Sequence, residues 1–351
     1  MRRVIILILV FLGIYFLFTW QTDAGEMLET LKQGDWRWLL LGAVVHLAYM
    51  LNIGASLRSI YNLLGMEEKI ERLTLLAAAA NFVVVVAPSA GMGGIAVFAA
   101  DAKQRGHSTG RASTAAAVYV FFDYLATLTV VVLGLFILSQ RNQLRGEDVI
   151  AALFLVGLAL GLGTLLYLGM RSGERLGSAL ASIGRLANRI TKPFLKRDYF
   201  DLTKAQAFGI DAAEGLRHAR KSPGELWLPF ALGLSTKALM MTILFLMFMA
   251  FNQAFSVGTL IAGFSIGYLF TIVSPTPSGI GFVETAMTLA LTSLRVPLAA
   301  SALIVFGYRG FTLWLTMVYG MFALRWVGKP LSEKKFESES ISARTSSDSP
   351  E

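Results

Sequence analysis

Six apolar runs constrain this chain more than anything else in its sequence. They lie near 3–20, 37–56, 113–139, 149–170, 226–251 and 299–324, and each reaches or approaches the ~20 residues that a helix needs to cross ~30 Å of hydrocarbon. Runs of that length have no stable place on the surface of a water-soluble domain. The composition agrees: 55% of the 351 residues are hydrophobic and only 15% are charged, with a mean hydropathy of +0.61. The expected fold class is therefore all-α, a polytopic membrane helix bundle. Arg2 and Arg3 precede the first run, but Phe18-Thr19-Trp20-Gln21 offers no small-residue cleavage site. Residues 1–35 accordingly read as a retained anchor span followed by an outer loop. The absence of cysteine excludes disulfides and thiolate metal sites. His46, His107 and His218 are too scattered to form a metal cluster, and His46, inside the second span, is expected to be hydrogen-bonded core.

Two helix-breaking turns interrupt this pattern. One is Val273-Ser274-Pro275-Thr276-Pro277-Ser278-Gly279-Ile280-Gly281-Phe282-Val283-Glu284, and the other is Ala87-Pro88-Ser89-Ala90-Gly91-Met92-Gly93-Gly94. Irregular backbone survives at membrane depth only where protein or trapped water satisfies its N–H and C=O groups, so the 273–284 turn is expected to line a cavity. Pro88 and Pro275, and likewise Gly94 and Gly281, are offset by 187 residues, which suggests one device used twice. The motif Val132-Leu133-Gly134-Leu135-Phe136 matches Val318-Tyr319-Gly320-Met321-Phe322 at an offset of 186, as Asp123 matches Arg309.

Charge sets the topology. Residues 171–224 carry eleven Lys/Arg, among them Arg175, Arg185, Arg189, Lys192, Lys196 and Arg197, against five acids, which marks the segment as cytoplasmic. Parity then puts the 101–111 loop inside and the acidic 21–35 loop outside, leaving Arg141 and Arg145 in the 140–148 loop as the exceptions. It also requires 73–100 to start and finish on the cytoplasmic side and 256–294 to start and finish on the outer side. Both stretches read as re-entrant hairpins with the turns at their tips. The expected organisation is a first membrane half at 36–170 with hairpin 73–100, a basic cytoplasmic amphipathic segment at 171–224, and a second half at 225–326 with hairpin 256–294. A disordered cytoplasmic tail is expected at 327–351, rich in serine and poor in apolar residues. Opposed hairpins of this kind are what an inverted-topology repeat produces, and such repeats hold cargo near the midplane between broken helices. Within 175–190, Leu176, Leu180, Ile183, Ala187 and Ile190 share one helical face away from the arginines, so this helix either lies on an anionic leaflet or packs on the bundle.

Four ionisable residues fall inside predicted spans or hairpins: Asp123, Lys237, Glu284 and Arg309. Each costs ~2.5–3.5 kcal/mol on insertion scales, so all four are expected to face the interior. One neutralised set pairs Asp123 with Arg309 and Glu284 with Lys237. In the functional reading, Lys237 and Arg309 hold an anionic group, helped by the N-terminus of the half-helix that starts near Gly279. Glu284 already uses part of that field. Tyr119, four residues before Asp123, shares its helical face, where it either hydrogen-bonds the carboxylate or packs as an ordinary aromatic.

The turn Pro275-Thr276-Pro277-Ser278-Gly279-Ile280-Gly281 with Glu284, together with Tyr308-Arg309, Thr312, Trp314 and Gly320, resembles the flippase-like transmembrane domain of the lysylphosphatidylglycerol synthase family. Upstream, Pro88, Gly93, Gly94 and Asp123 occupy the corresponding places, and the resemblance covers most of 36–325. Ser278 stands where a glycine is usual, and Tyr119-Val120 where a Glu-Arg pair is usual. The resemblance implies movement of a phospholipid or a lipid-linked anionic head group between leaflets. The candidate substrate-binding residues are Lys237, Pro275, Pro277, Ser278, Gly279, Gly281, Glu284, Tyr308, Arg309, Asp123, Pro88, Gly93 and Gly94. In bifunctional members an aminoacyl transferase domain follows the membrane part; none is expected here, and neither is lysyl transfer. An ion- or proton-coupled carrier of a small anion, with Glu284 or Asp123 as proton site, is the alternative. No Gly-x-x-x-x-Gly-Lys-Ser/Thr signature is present, and neither clustered carboxylates for a metal nor a nucleophile with its base lies beside the membrane, so a transporter is expected rather than an enzyme. The expected setting is a bacterial or archaeal cytoplasmic membrane with both termini inside. Membrane lipids are the expected partners and a homodimer is left open, while nucleic acid and cofactors are not expected.

Overall fold

The computed structural model describes Lys32 and residues 34–86, 92–106, 108–195, 202–221, 223–274 and 276–327. The anchor run near 3–20, the tail at 327–351 beyond Val327, and the turn prolines Pro88 and Pro275 lie outside the described residues. The chain is an all-helical bundle. Its first part comprises α1 (Trp36–Leu63), α2 (Ile70–Val86), α3 (Met92–Gln104), α4 (Thr109–Gln140) and α5 (Gly146–Arg171). A helical pair follows, α6 (Gly173–Leu195) and α7 (Leu202–Lys221). The last part comprises α8 (Trp227–Ala250), α9 (Val257–Val273), α10 (Phe282–Ser293), α11 (Leu298–Arg309) and α12 (Thr316–Val327). A π-helical segment, Gly310–Leu315, joins α11 to α12 into one continuous 30-residue span.

Among the described residues, five helices are long and apolar enough to cross a membrane: Trp36–Leu63, Thr109–Gln140, Gly146–Arg171, Gly224–Ala250 and Leu298–Val327. They coincide with five of the six expected runs. They are apolar nearly all round, as helices solvated by lipid outside and by protein inside must be. On α5 the outward face is lipid-like, with Ile150, Leu153, Phe154 and Leu160 exposed. The inner core is formed where α1 packs along α8, and Leu57, Ile60, Ile243, Leu244, Met247 and Phe248 are fully buried there. Asn52 ties the same two helices, donating to the Leu232 carbonyl at 2.9 Å and to Thr236 Oγ1 at 2.8 Å.

Each broken stretch is a pair of shorter helices, α2 with α3 and α9 with α10. Gly93 and Gly94, expected at the tip of the first turn, instead lie buried in the first turn of α3. There Gly94 lets the two arms approach, because a Cβ would meet Val84 at 3.1 Å. The base of this pair is tied by two ion pairs, Arg72 to Asp101 and Arg105 to Glu68. The exceptional arginines of the 140–148 loop also have structural partners. Arg141 donates to Ser256 at 2.9 Å and to Thr259 at 3.3 Å, and Arg145 pairs with Glu147.

The two parts interlock reciprocally. Helix α9 packs along α4, and α2 packs along α12. Both contacts depend on a missing side chain: a Cβ on Gly134 would land on Ser265, and a Cβ on Gly320 would land on Ala78 and Phe82. The two contacts are related by the sequence offsets, since Gly134 and Gly320 are 186 apart and Ala78 and Ser265 are 187 apart. Overpacking a tight contact costs about 1–3 kcal/mol. Gly134→Leu and Gly320→Leu are therefore each expected to lower thermal stability in detergent by a similar amount. Gly157→Leu on α5, where no atom lies within 4 Å, is expected not to.

Candidate functional site

The second turn builds the site. Helix α9 ends at Val273, and Pro277–Gly279 forms a short 3₁₀ turn before α10 starts at Phe282. Ser278, Gly279 and Gly281 have φ of 51°, 72° and 87°, the left-handed region that favours glycine. Two of the three are glycine. Ser278 is the exception, a residue with a side chain held in that region.

The irregular backbone is satisfied from within. Gly279 N–H donates to the Thr276 carbonyl at 3.0 Å, Ile280 N–H to Pro277 at 3.3 Å, and Thr276 Oγ1 to the Ile280 carbonyl at 2.9 Å. The Gly281 N–H donates to Glu284 Oε2 at 2.7 Å, and the Ser278 carbonyl accepts from Arg309 Nη2 at 2.9 Å. Arg309 Nε also donates to Glu284 Oε1 at 2.7 Å, with both side chains buried. The turn, the start of α10 and the end of α11 are thus one charge-assisted unit, and bonds of this type are among the strongest available.

Asp123 on α4 and Lys237 on α8 form a second ion pair, 2.6 Å between Oδ1 and Nζ, with the lysine fully buried. Tyr268 on α9 completes it. Its hydroxyl donates to Asp123 Oδ2 at 3.0 Å, and its ring lies 3.7 Å from Lys237 Nζ in a cation–π contact. The pairing expected from sequence is thereby exchanged: Asp123 takes Lys237, not Arg309, and Glu284 takes Arg309, not Lys237. The reason is adjacency. Helix α4 packs against α8, with Gly233 against Phe122 and Ala126, whereas Arg309 closes directly over the α10 terminus. The hydroxyl on Asp123 comes from Tyr268, and Tyr119 packs in the apolar core. The positive end of α10 is occupied by Glu284, so it is not the free anion site that the turn suggested.

Two concavities border the turn. An inner cavity of about 140 Å³ is lined by Tyr49, Asn81, Tyr268, Thr271, Ser278, Tyr308, Arg309, Thr312 and Thr316, with Val84, Val85, Met240, Gly267, Leu313 and Met317. An outer groove of about 540 Å³ runs between the α4–α5 connection and the arms α9 and α10. Its walls include Leu138, Ile266, Phe270, Phe282 and Leu289, and its polar end carries Gln143, Arg145, Glu147 and Asp148. Ser278 faces the cavity, whereas Thr276, Ile280 and Gly281 face the groove, so the turn is the partition between the two.

Among the expected site residues, Ser278, Tyr308 and Arg309 line the cavity, Glu284 holds Arg309 in place, and Asp123 and Lys237 stand behind Tyr268. Gly281 borders the groove, and Gly279 is buried against Thr271 and Val283. Pro277 opens the 3₁₀ turn. Gly93 and Gly94 are packing residues of α3, although the first arm α2 does reach the cavity through Asn81, Val84 and Val85. His46 is core, as expected, but neither ring nitrogen has a hydrogen-bond partner among the described residues. It stacks on Tyr319 and lies against Tyr49. The sequence reading missed Tyr49, Asn81, Tyr268, Thr271 and Thr316. Two signals point to some of them. Asn81 and Tyr268 are offset by the same 187 residues as the turns, and Tyr308, Thr312 and Thr316 form a polar stripe at spacings of four.

Membrane-length helices around buried ion pairs and a polar cavity define a multi-pass helical membrane protein with a charged interior. The sequence profile of the lysylphosphatidylglycerol synthase TM region matches residues 4–320, and the chain belongs to that family. No curated protein matches it.

Proposed function

We propose that this protein is a lipid translocase that moves a phospholipid, or a lipid-linked anionic head group, between leaflets. The observation that carries the reading is the partition at the turn. A polar cavity presenting Arg309 lies on one side, and a largely apolar groove more than three times larger lies on the other. An amphipathic cargo needs both: a wet, hydrogen-bonding place for its head and an oily track for its tail. Arg309 suits a phosphate, because a guanidinium carries five N–H donors, more than its bonds to Glu284 and Ser278 use. The cavity far exceeds the ~10–15 Å³ that one water requires. Tyr308, Thr312 and Thr316 add neutral donors that can follow the head group without trapping it.

In this reading α2–α3 and α9–α10 are re-entrant hairpins of an inverted repeat, entering from opposite faces of the cell membrane. The reciprocal contacts of Gly134 with Ser265 and Gly320 with Ala78 support it, because they map onto each other by the repeat offset. Alternating access then amounts to the turn and the π-helical segment shifting against the paired spans α1 and α8. π-bulges recur at functional sites.

The test is leaflet exchange of fluorescent phosphatidylglycerol in proteoliposomes. Exchange faster than in protein-free vesicles is expected. No acceleration, together with gradient-driven uptake of a small soluble anion, would replace this reading with that of a coupled carrier.

A further inference from the structure

Helix α6 divides its surface into three strips, and only one of them packs on the protein. Gly173, Leu176, Gly177, Ala181 and Gly184 are buried. The backbones of α6 and α7 touch along this strip: a Cβ on Gly173 would meet Ile210 Cα at 2.9 Å, and one on Gly177 would meet the Gln206 backbone at 3.0 Å. A second strip carries Ile183 and Leu186, which are 52% and 60% exposed, with Ala179 half-buried beside them. The third is polar and basic, with Arg175, Ser178, Ser182, Arg185 and Arg189 all exposed. The single apolar face read from the sequence is therefore split: Leu176 turns onto the protein and Ile183 turns away from it.

The position of α6 says what covers the exposed strip. Only Ser172 separates α6 from the end of the span α5, where Arg171 lies over the Tyr167 ring at 5.2 Å. A span ending in an arginine stacked on a tyrosine is ending at the head-group level. The apolar strip thus starts at the depth of the membrane surface and is flanked by three cations. Helix α7 fixes this height by gripping the N-terminal end of α4, since Asp211 accepts from Ser108 Oγ at 2.7 Å and from the Gly110 N–H at 2.8 Å, and Glu214 pairs with Arg111.

We infer that α6 is an interfacial helix that seats Ala179, Ile183 and Leu186 in the acyl boundary of the leaflet where α5 ends and sets Arg175, Arg185 and Arg189 on anionic lipid head groups. Apolar burial and attraction to anionic lipid add in such helices. The inference does not depend on the translocation reading, because it concerns a surface away from the cavity.

The chain contains no cysteine, so a single introduced thiol is a unique labelling site. Ile183→Cys and Ser178→Cys, both at exposed positions, would carry a nitroxide in the full chain reconstituted into nanodiscs of equal parts phosphatidylglycerol and phosphatidylcholine. The label at 183 is expected to be several-fold more accessible to dissolved oxygen, relative to a water-soluble nickel chelate, than the label at 178. Removing phosphatidylglycerol, or changing the three arginines to glutamine, is expected to shift 183 toward nickel accessibility. A label at 183 that is water-like in both lipids overturns the inference. So does one shielded from both reagents with dipolar broadening, which would mean that a second copy of the chain covers the strip. Membrane contact unchanged by removing phosphatidylglycerol overturns the assignment to anionic lipid.

Discussion

Arg309→Ala is expected to stop lipid exchange and to destabilise the fold by about 3–5 kcal/mol, the usual cost of removing one partner of a buried ion pair. Among the described residues, the substitution leaves the buried Glu284 carboxylate with only the Gly281 N–H as a partner and removes the donor from the Ser278 carbonyl. Loss of exchange alone would not separate a binding role from a structural one. The double variant Arg309→Met with Glu284→Leu does separate them, because replacing both charges by apolar groups of similar volume is often close to neutral for stability. It is expected to regain most of the unfolding temperature in detergent and none of the exchange. Arg309→Lys is expected to rescue little, since a single ammonium cannot bond Glu284 and Ser278 as the planar fork does. Wild-type exchange in Arg309→Ala would remove Arg309 from the cargo site.

The parts of this protein that were readable in the sequence are those governed by local chemistry. Apolar length gave five spans to within a few residues of their ends, except that α1 continues to Leu63, beyond the predicted 56. Pro277, Gly279 and Gly281 marked the turn because proline and left-handed glycine leave a local trace whatever surrounds them. Partner choice left no such trace. Asp123 and Lys237 are 114 residues apart and meet only because α4 lies beside α8, a fact of helix packing that periodicity in strongly apolar helices does not encode. The cavity residues Thr271 and Thr316 were hidden for a related reason. A threonine in a lipid-solvated helix commonly donates back to the carbonyl four residues earlier, as both do here, so its type alone says little about what it faces. The recoverable omissions were Asn81 and Tyr268, which the repeat offset relates to each other, and Thr316, which its spacing of four from Thr312 could have marked.

The Asp123–Lys237–Tyr268 cluster carries the second large prediction, an order of effects. Asp123→Asn strands the Lys237 ammonium, whose side chain is 0% exposed, with only an amide and the Tyr268 ring, so it is expected to be the worst, at about 3–5 kcal/mol. Lys237→Met is expected to cost less: the carboxylate it strands is 17% exposed and keeps the Tyr268 hydroxyl, and methionine fills most of the lysine's volume. Tyr268→Phe removes one charge-assisted hydrogen bond, about 1.5–3 kcal/mol, and preserves the cation–π face. The double change Asp123→Asn with Lys237→Met is expected to be more stable than Asp123→Asn alone, since it removes the unpaired charge that makes the single variant costly. Thermal unfolding in detergent measures all four. Should Lys237→Met prove more damaging than Asp123→Asn, the lysine would be acting as packing rather than as a charge that needs Asp123, and the electrostatic account of this cluster would fail.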